Sequence, residues 1–475
     1  GADAPELQRE VTLVIDRSGS MAGEKLDQAR AAALQVLEGL GPDEQFNIIV
    51  YNEAVEQFSQ FPLLASRENI LRARQYINGV RVSGGTNIHD ALLAATRQAK
   101  REKSVPIVLF MTDGLPTIGV TSEQQIRKAV TDANVERRRI FTFGVGVDVN
   151  TPLLSRLADD SRATATYVLP EENVEVKVAA VFRRLTGPLL AYPQIEVTDA
   201  AGNTLPGAVT DLLPARLPDI FANDQVVLAG RYHERRPLRF RLSGDDGARR
   251  REFDFAFEPG DARNPFVPRL WAMRKIAVLT EALRDLGADS ALTGLTGDQV
   301  RPDDPRVKEL VDEIVRLSTE HGILTEYTAV LARDGAVFGP QVRRDAEATE
   351  NFRSRAIISR SGTDAVNQEL NLWAQKDALC LNPLNKYLDA GLNEAEVRNV
   401  QQVADKAFYR RGSEWIDAAV ASAGPASAAP AEEVEVGSAS FDALVDLLVA
   451  NGQQGCLTLG NNLDLVVEGK RYRLR

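Results

Sequence analysis

Asp16, Ser18 and Ser20 stand at alternate positions after an apolar run, in the segment Val11 to Met21, V-T-L-V-I-D-R-S-G-S-M. A third hydroxyl, Thr86, lies in the glycine loop Ser83-Gly84-Gly85-Thr86-Asn87. A second carboxylate, Asp113, follows the apolar run Val105 to Met111, in Thr112-Asp113-Gly114. Oxygen-only donors select a hard cation, and so few carboxylates suit a Mg2+ that keeps several waters at roughly 2.0–2.1 Å per bond. Mn2+ or Ca2+ would satisfy the same donors. If Ser18, Ser20 and Thr86 bind directly while Asp16 and Asp113 act partly through water, the first shell carries little negative charge and keeps a position open. Such a cation stays electrophilic. It favours an incoming carboxylate, an Asp or Glu side chain of a partner protein.

Taken singly, each piece has an ordinary reading: Ser-Gly-Ser is a common turn, a strand-ending Asp commonly caps a helix, and Gly-Gly-Thr is a common loop. The elements around them set the combination apart. Val11 to Ile15, interrupted only by Thr12, and Val105 to Met111 are apolar runs without alternation, as in strands covered on both faces. Glu24 to Glu38 carries Leu26, Ala29, Ala33, Leu34 and Leu37 at helical spacing and ends at Gly39. Strand Gln45 to Tyr51 follows, then helices Arg67 to Ile77 and Ile88 to Lys100. After the Val105 strand come helix Ser122 to Glu136, strand Ile140 to Val145, helix Pro152 to Ala158, strand Thr164 to Val168 and helix Val174 to Arg184. This alternation predicts an α/β fold, a doubly wound, mostly parallel, Rossmann-like sheet with helices on both faces. Right-handed crossovers put all strand C-termini on one side, where ligands of such sheets bind. His89 and Asp148 fall at the same rim and could shape partner choice, although a helix-start residue and a turn residue are their plainer readings.

The pattern Asp-x-Ser-x-Ser, Gly-Gly-Thr, Thr-Asp-Gly resembles the metal-ion-dependent adhesion site (MIDAS) of von Willebrand factor type A domains, with Asp16, Ser18, Ser20, Thr86 and Asp113 in its five positions. The resemblance implies the same docking of a partner's acidic residue. Further on, Leu217-Pro218-Asp219-Ile220-Phe221, Gly230-Arg231-Tyr232, Leu270-Trp271-Ala272 and Gly322 to Leu331, G-I-L-T-E-Y-T-A-V-L, are similar to the region after the A domain in inter-alpha-trypsin inhibitor heavy chains and their bacterial relatives. Those proteins normally carry an inter-alpha-trypsin (VIT) domain ahead of the A domain, and none is read here. None of His89, His233 and His321 follows Asp-Pro, so the heavy chains' Asp-Pro-His ending and its glycan link are not carried over.

The expected organisation is an A domain over 1–188, an antiparallel β-sandwich over 189–262, a helical pair plus strand over 263–340, and a small α+β region over 341–475 with a linker near 421–432. Strands Gln194 to Thr198, Gln225 to Tyr232, Leu238 to Leu242 and Glu252 to Phe257 alternate apolar and polar residues, whereas Pro265 to Leu286 and Val307 to His321 read as core helices, the second stopped by Gly322. A helix through Val366 to Ala378, two short strands within Val400 to Val420, and a helix Phe441 to Ala450 are expected next. A hairpin from Cys456 to Leu474, containing the Gly460-Asn461-Asn462 turn, closes the chain.

Composition excludes several classes. With 475 residues the chain exceeds one core, and a net charge of −11 argues against nucleic acid. Short basic clusters at Arg137 to Arg139, Arg235 to Arg236 and Arg249 to Arg251 are read as solvated faces. No apolar stretch approaches the ~18 residues of a membrane helix. The N-terminus lacks signal-peptide features, and Gly1 reads as a tag scar behind which a leader or domain could have been removed. Cys380 and Cys456, without zinc spacing, are two buried thiols or one disulfide, with thiols favoured.

The resulting expectation is a non-enzymatic, cation-dependent adhesion or surface-assembly module, extracellular or in the bacterial cell envelope. An intracellular partner of a separate ATPase is one alternative, since the chain has no Walker motif. A metal-dependent hydrolase is the other. Against it, Ser18 lacks the G-x-S-x-G elbow and no His lies within the two core loops.

Overall fold

The computed structural model describes residues 8–101, 104–185, 189–221, 224–233, 236–246, 249–260, 264, 266–292, 304–332, 341–423 and 430–475. The chain divides into two compact units, the first comprising 1–259, 291–294 and 360–366, the second comprising 260–290, 295–359 and 367–475.

The first unit is built on β1 (Gln8–Asp16), α1 (Glu24–Glu38), β2 (Gln45–Tyr51), β3 (Val55–Gln57), β4 (Leu63–Leu64), α2 (Arg67–Gly79), α3 (Ile88–Thr96), β5 (Ser104–Thr112), α4 (Glu123–Ala133), β6 (Arg139–Val145), α5 (Thr151–Asp160), β7 (Ala165–Val168) and α6 (Val174–Arg184). The strands run β3-β2-β1-β5-β6-β7, with β4 also on β2. β2, β1, β5, β6 and β7 are parallel, and the short β3 and β4 pair antiparallel at the β2 side. Because β1, β2, β5 and β6 are buried almost end to end, their apolar runs need not alternate. α1 packs on α6, and α3, α4 and α5 pack in succession. Side chains of Ser66, Asn87, Ser122, Asn150 and Asn173 accept from backbone N–H groups at the starts of α2 to α6, satisfying donors the helices leave open. Strand order reverses between β1 and β5, so Asp16 and Asp113 leave the sheet at the switch point.

Antiparallel sheets follow. β8 (Leu189–Thr198), β9 (Val209–Leu213), β10 (Ile220–Phe221), β11 (Ala229–Tyr232), β12 (Leu238–Asp245) and β13 (Arg250–Phe257) form a four-stranded sheet, β10-β8-β12-β13, and a two-stranded one, β11-β9.

In the second unit, α7 (Val267–Leu292) buries Leu270, Trp271, Met273 and Ile276, and α8 (Pro305–His321) buries Val311, Ile314 and Leu317, as core helices do. α8 ends at Gly322, whose φ of +63° is left-handed. A Cβ there would stand 2.6 Å from Cβ of Ala407, so the position needs glycine twice over, for conformation and for space. α9 (Gln341–Asn351) runs into a π-helical turn, Phe352–Ile357, and α10 (Thr363–Lys376) follows. A six-stranded sheet and the helix Ala439–Ala450 complete the unit. Among the described residues no helix is long and apolar enough to cross a membrane.

Four expectations are corrected. Residues 400–417 hold three strands, Val400–Val403, Lys406–Arg411 and Glu414–Asp417, because Ala404, at φ +51°, makes an early turn. The C-terminal hairpin spans Leu463–Val467 and Lys470–Leu474 and turns at Glu468 and Gly469, both with positive φ as primed hairpin turns require. Gly460 instead closes a preceding 3-10 helix, Gln454–Leu459. Cys456 is a buried free thiol, as the favoured reading had it, but Cys380 is exposed. Finally, Arg138 and Arg139 are buried rather than solvated, because Glu10 and Asp219 supply partners inside. Of the expected linker, residues 424–429 lie outside the described residues.

Candidate metal centre

β1 delivers Asp16 to the sheet's C-terminal edge, fully buried. Its Oδ1 accepts the Ser18 N–H at 2.7 Å, and its Oδ2 accepts the Thr112 hydroxyl at 2.7 Å and the Tyr51 hydroxyl at 3.3 Å. Tyr51 closes β2 directly opposite Asp16 in the parallel register. Burial pushes the Asp16 carboxyl above its ordinary value, against the hydrogen bonds from Ser18 and Thr112. The same burial, with the charge of Asp16, holds Tyr51 well above the usual phenol range, so its hydroxyl stays protonated.

The other donors come from three loops. Ser20 Oγ donates to Asp113 Oδ1 at 2.7 Å and lies 3.1 Å from Ser18 Oγ. Thr86 donates its N–H to Thr117 Oγ1 at 2.9 Å, and its carbonyl accepts from Thr117 N at 2.9 Å and Ile118 N at 3.2 Å. Gly84, at φ +70°, presents its carbonyl to Gly19 N at 3.0 Å, fastening the glycine loop to the Ser-Gly-Ser turn. A Cβ on Gly114 would lie 3.7 Å from both Ser20 Oγ and Thr86 Oγ1, so those two hydroxyls border the same space beside Gly114. The structure thus brings Asp16, Ser18, Ser20, Thr86 and Asp113 together. Ser20 is exposed, which opens the cluster to solvent. No group of three or more His, Cys, Asp or Glu that could hold a metal occurs among the described residues. A cation held here would rely on hydroxyls, and this donor set fits a hard divalent ion.

His89 Nδ1 pairs with Asp90 Oδ1 at 2.7 Å, one residue along its own helix. Asp148 is exposed in the loop between β6 and α5.

Two features at this rim were missed from sequence. Lys25, in the first turn of α1, places Nζ 2.7 Å from Asp113 Oδ2. Its spacing of five after Ser20 is a signal, but only the packed helix shows where the ammonium goes. The second is the distant segment Arg360–Val366. Its Gly362 N–H donates to Val147 O at 2.8 Å, Thr151 N–H donates to Arg360 O at 3.2 Å, and the Arg360 guanidinium grips Glu123 at the start of α4. Glu123 also accepts from Asn150 at 2.9 Å.

Residues 10–180 match the von Willebrand factor type A domain. Inter-alpha-trypsin inhibitor heavy chain H4 of Homo sapiens is 31% identical over 302 residues, covering 58% of this chain and 32% of that protein. Heavy chain H2 of Sus scrofa is 25% identical over 366 residues, covering 70% and 36%. This chain spans about a third of the length of these relatives. Among solved structures, von Willebrand factor type A from Catenulispora acidiphila aligns over 74% of this chain and 90% of its own at 15% identity, with a TM-score of 0.42. Proximal thread matrix protein 1 from the mussel byssus, solved with a zinc occupied MIDAS motif, aligns over 38% and 46% at 15% identity, with a TM-score of 0.31. The chain carries a von Willebrand factor type A domain and is similar to inter-alpha-trypsin inhibitor heavy chains.

Proposed function

We propose that this chain is a cation-dependent protein-binding module in which Ser18, Ser20 and Thr86, with Asp16 and Asp113 partly through water, hold Mg2+ and dock an Asp or Glu side chain of a partner. The observation that carries this reading is the convergence of three loops on one open cradle, with Ser20 bonded to Asp113 and Thr86 beside them across Gly114. Bound there, the ion would supply an electrophilic position for a carboxylate. Thr112, Tyr51 and the Ser18 N–H engage Asp16 and fix its orientation, so it serves as a rigid support with an acceptor position left for water. Binding is favoured over hydrolysis because the neighbour of the Ser18 hydroxyl is Ser20, while His89 is engaged by Asp90. The likeness to inter-alpha-trypsin inhibitor heavy chains supports a site of action outside the cell or in its envelope.

The test is capture of partners from a cell-envelope extract on the immobilised chain, in Mg2+ and in EDTA, with Asp113→Ala alongside. Calorimetric titration with Mg2+ and Mn2+ accompanies it. A partner retained only by wild type with the cation is the expected result. Equal retention in all three conditions would leave the site a structural element and sink the proposal.

A further inference from the structure

The opposite, N-terminal edge of the parallel sheet carries charge that the metal reading leaves unused. Arg137 and Arg139 flank the start of β6, Arg162 lies between α5 and β7, and Arg216 lies in the loop after β9. The half-buried Tyr192 of β8 stands among them. Its ring centroid is 4.8 Å from Cζ of Arg139, 5.1 Å from that of Arg137 and 5.4 Å from that of Arg162. A ring has two faces, so at least two of these guanidinium groups share one.

The charges here do not balance. Asp219 is the carboxylate inside the group, and it is committed: Oδ2 accepts Arg139 Nε at 2.6 Å, and Oδ1 accepts the Tyr192 N–H at 2.9 Å. Asp160, nearby, pairs its carboxylate with Arg127 and offers Arg216 only its backbone oxygen, at 3.2 Å. Arg162 likewise donates to a backbone oxygen, that of Leu217, at 3.0 Å. Among the described residues, four cations therefore meet one carboxylate. Burial chiefly, with the charge of Arg216 and against that of Asp219, pulls the Arg162 guanidinium below its ordinary value. Arg162, at φ +64°, is the left-handed residue that ends α5, and the following Ala163 N–H closes on Ala158 O at 2.9 Å, which holds Arg162 at this edge.

We propose that this cluster is a binding site for a tetrahedral dianion, phosphate or sulfate. The guanidinium forks of Arg137, Arg162 and Arg216 take its oxygens, and Arg139, locked by Asp219 under the Tyr192 ring, serves as a fixed floor. Guanidinium forks match oxyanions in shape and charge, and a dianion neutralises two of the excess charges where a monoanionic carboxylate neutralises one.

The experiment is calorimetric titration of the full chain in EDTA with sodium phosphate, sodium sulfate and phenyl phosphate, against sodium chloride at matched ionic strength. The double variant Arg162→Gln/Arg216→Gln is run beside wild type, and Arg249→Gln serves as a surface-charge control. The expected result is one saturable equivalent of phosphate or sulfate, weakened at least tenfold in the double variant and unchanged in the control. Tighter phenyl phosphate than phosphate would identify an ester as the natural source, and the reverse order a free ion. Melting in chloride establishes that the double variant is folded. No saturable binding beyond chloride, or equal affinity in the double variant, would overturn the proposal and leave a structural cation–π stack holding β8 to β6.

Discussion

Lys25 Nζ and Asp113 Oδ2 lie 2.7 Å apart, and Ser20 takes the other oxygen of the same carboxylate. A buried Asp113 therefore has a built-in counter-ion where a metal would otherwise neutralise it. The ammonium and a divalent ion compete for that charge. Lys25→Met should tighten Mg2+ binding by roughly tenfold, a Coulomb effect of about 1–2 kcal/mol at a partly exposed site, and should lower the melting temperature in EDTA. Calorimetry and melting with and without metal check both; weaker Mg2+ binding would show that Lys25 orients Asp113 for the ion.

Thr112 positions Asp16 from within β5, where both are buried. Thr112→Val keeps the shape and removes the 2.7 Å bond, so unfolding should cost about 1–3 kcal/mol less, with Mg2+ affinity falling several-fold. Tyr51→Phe removes only the longer bond at 3.3 Å and should do less on both counts. Urea unfolding of the two variants would settle the ranking, and equal losses would contradict it.

Arg138 and Glu10 are both fully buried and meet at 2.7 Å. The angle is too poor for a full hydrogen bond at that contact, so the attraction is chiefly coulombic. Glu10→Ala should destabilise by about 3–5 kcal/mol, because it strands a buried guanidinium, whereas Glu10→Leu/Arg138→Met should recover most of the loss. Chemical denaturation of the three proteins gives the answer. A double variant as damaged as the single one would mean that the bond from Arg138 to Gln98 O, at 2.7 Å, matters more than the ion pair.

Glu326 in the second unit is buried. Burial raises its carboxyl from 4.5 to about 7, against hydrogen bonding from Asn371 and the charges of Arg355 and Arg284. The folded protein thus holds this proton more tightly than the unfolded chain. The stabilisation is complete below the unfolded value and is lost as pH rises through about 7, a change on the order of 3 kcal/mol. All three tryptophans, Trp271, Trp373 and Trp415, lie in the same unit. Tryptophan-monitored unfolding should therefore show falling stability between pH 5 and pH 8, flattened in Glu326→Gln. A variant with the wild-type slope would assign the pH dependence elsewhere.

Much of this was legible from periodicity. The expected spans Glu24 to Glu38, Gln45 to Tyr51 and Val174 to Arg184 coincide with α1, β2 and α6, because apolar spacing and capping agree there. Asp16, Ser18, Ser20, Thr86 and Asp113 could be named because parallel strands send their loops to one edge. Partners fixed only by packing could not. Lys25 meets Asp113 across 88 residues, and Arg138 looks like a surface charge until Glu10 is placed against it. The same holds for Tyr192, whose ring meets arginines from two separate connections, α4 to β6 and α5 to β7, only once β8 is placed.

The first unit is finished by Arg360–Val366, residues that lie about 100 positions beyond its preceding main segment ending at Pro259. On a ribosome adding about 5–20 residues per second, they emerge on the order of 5–20 s after that segment. Throughout that interval Glu123 has no Arg360 to grip it, and the Val147 carbonyl has no Gly362 to receive. Completion of the rim beside the candidate metal centre is therefore a late event in the synthesis of the chain. A nascent molecule stalled before residue 360 would expose a sheet with its five oxygen donors in order and its border still open.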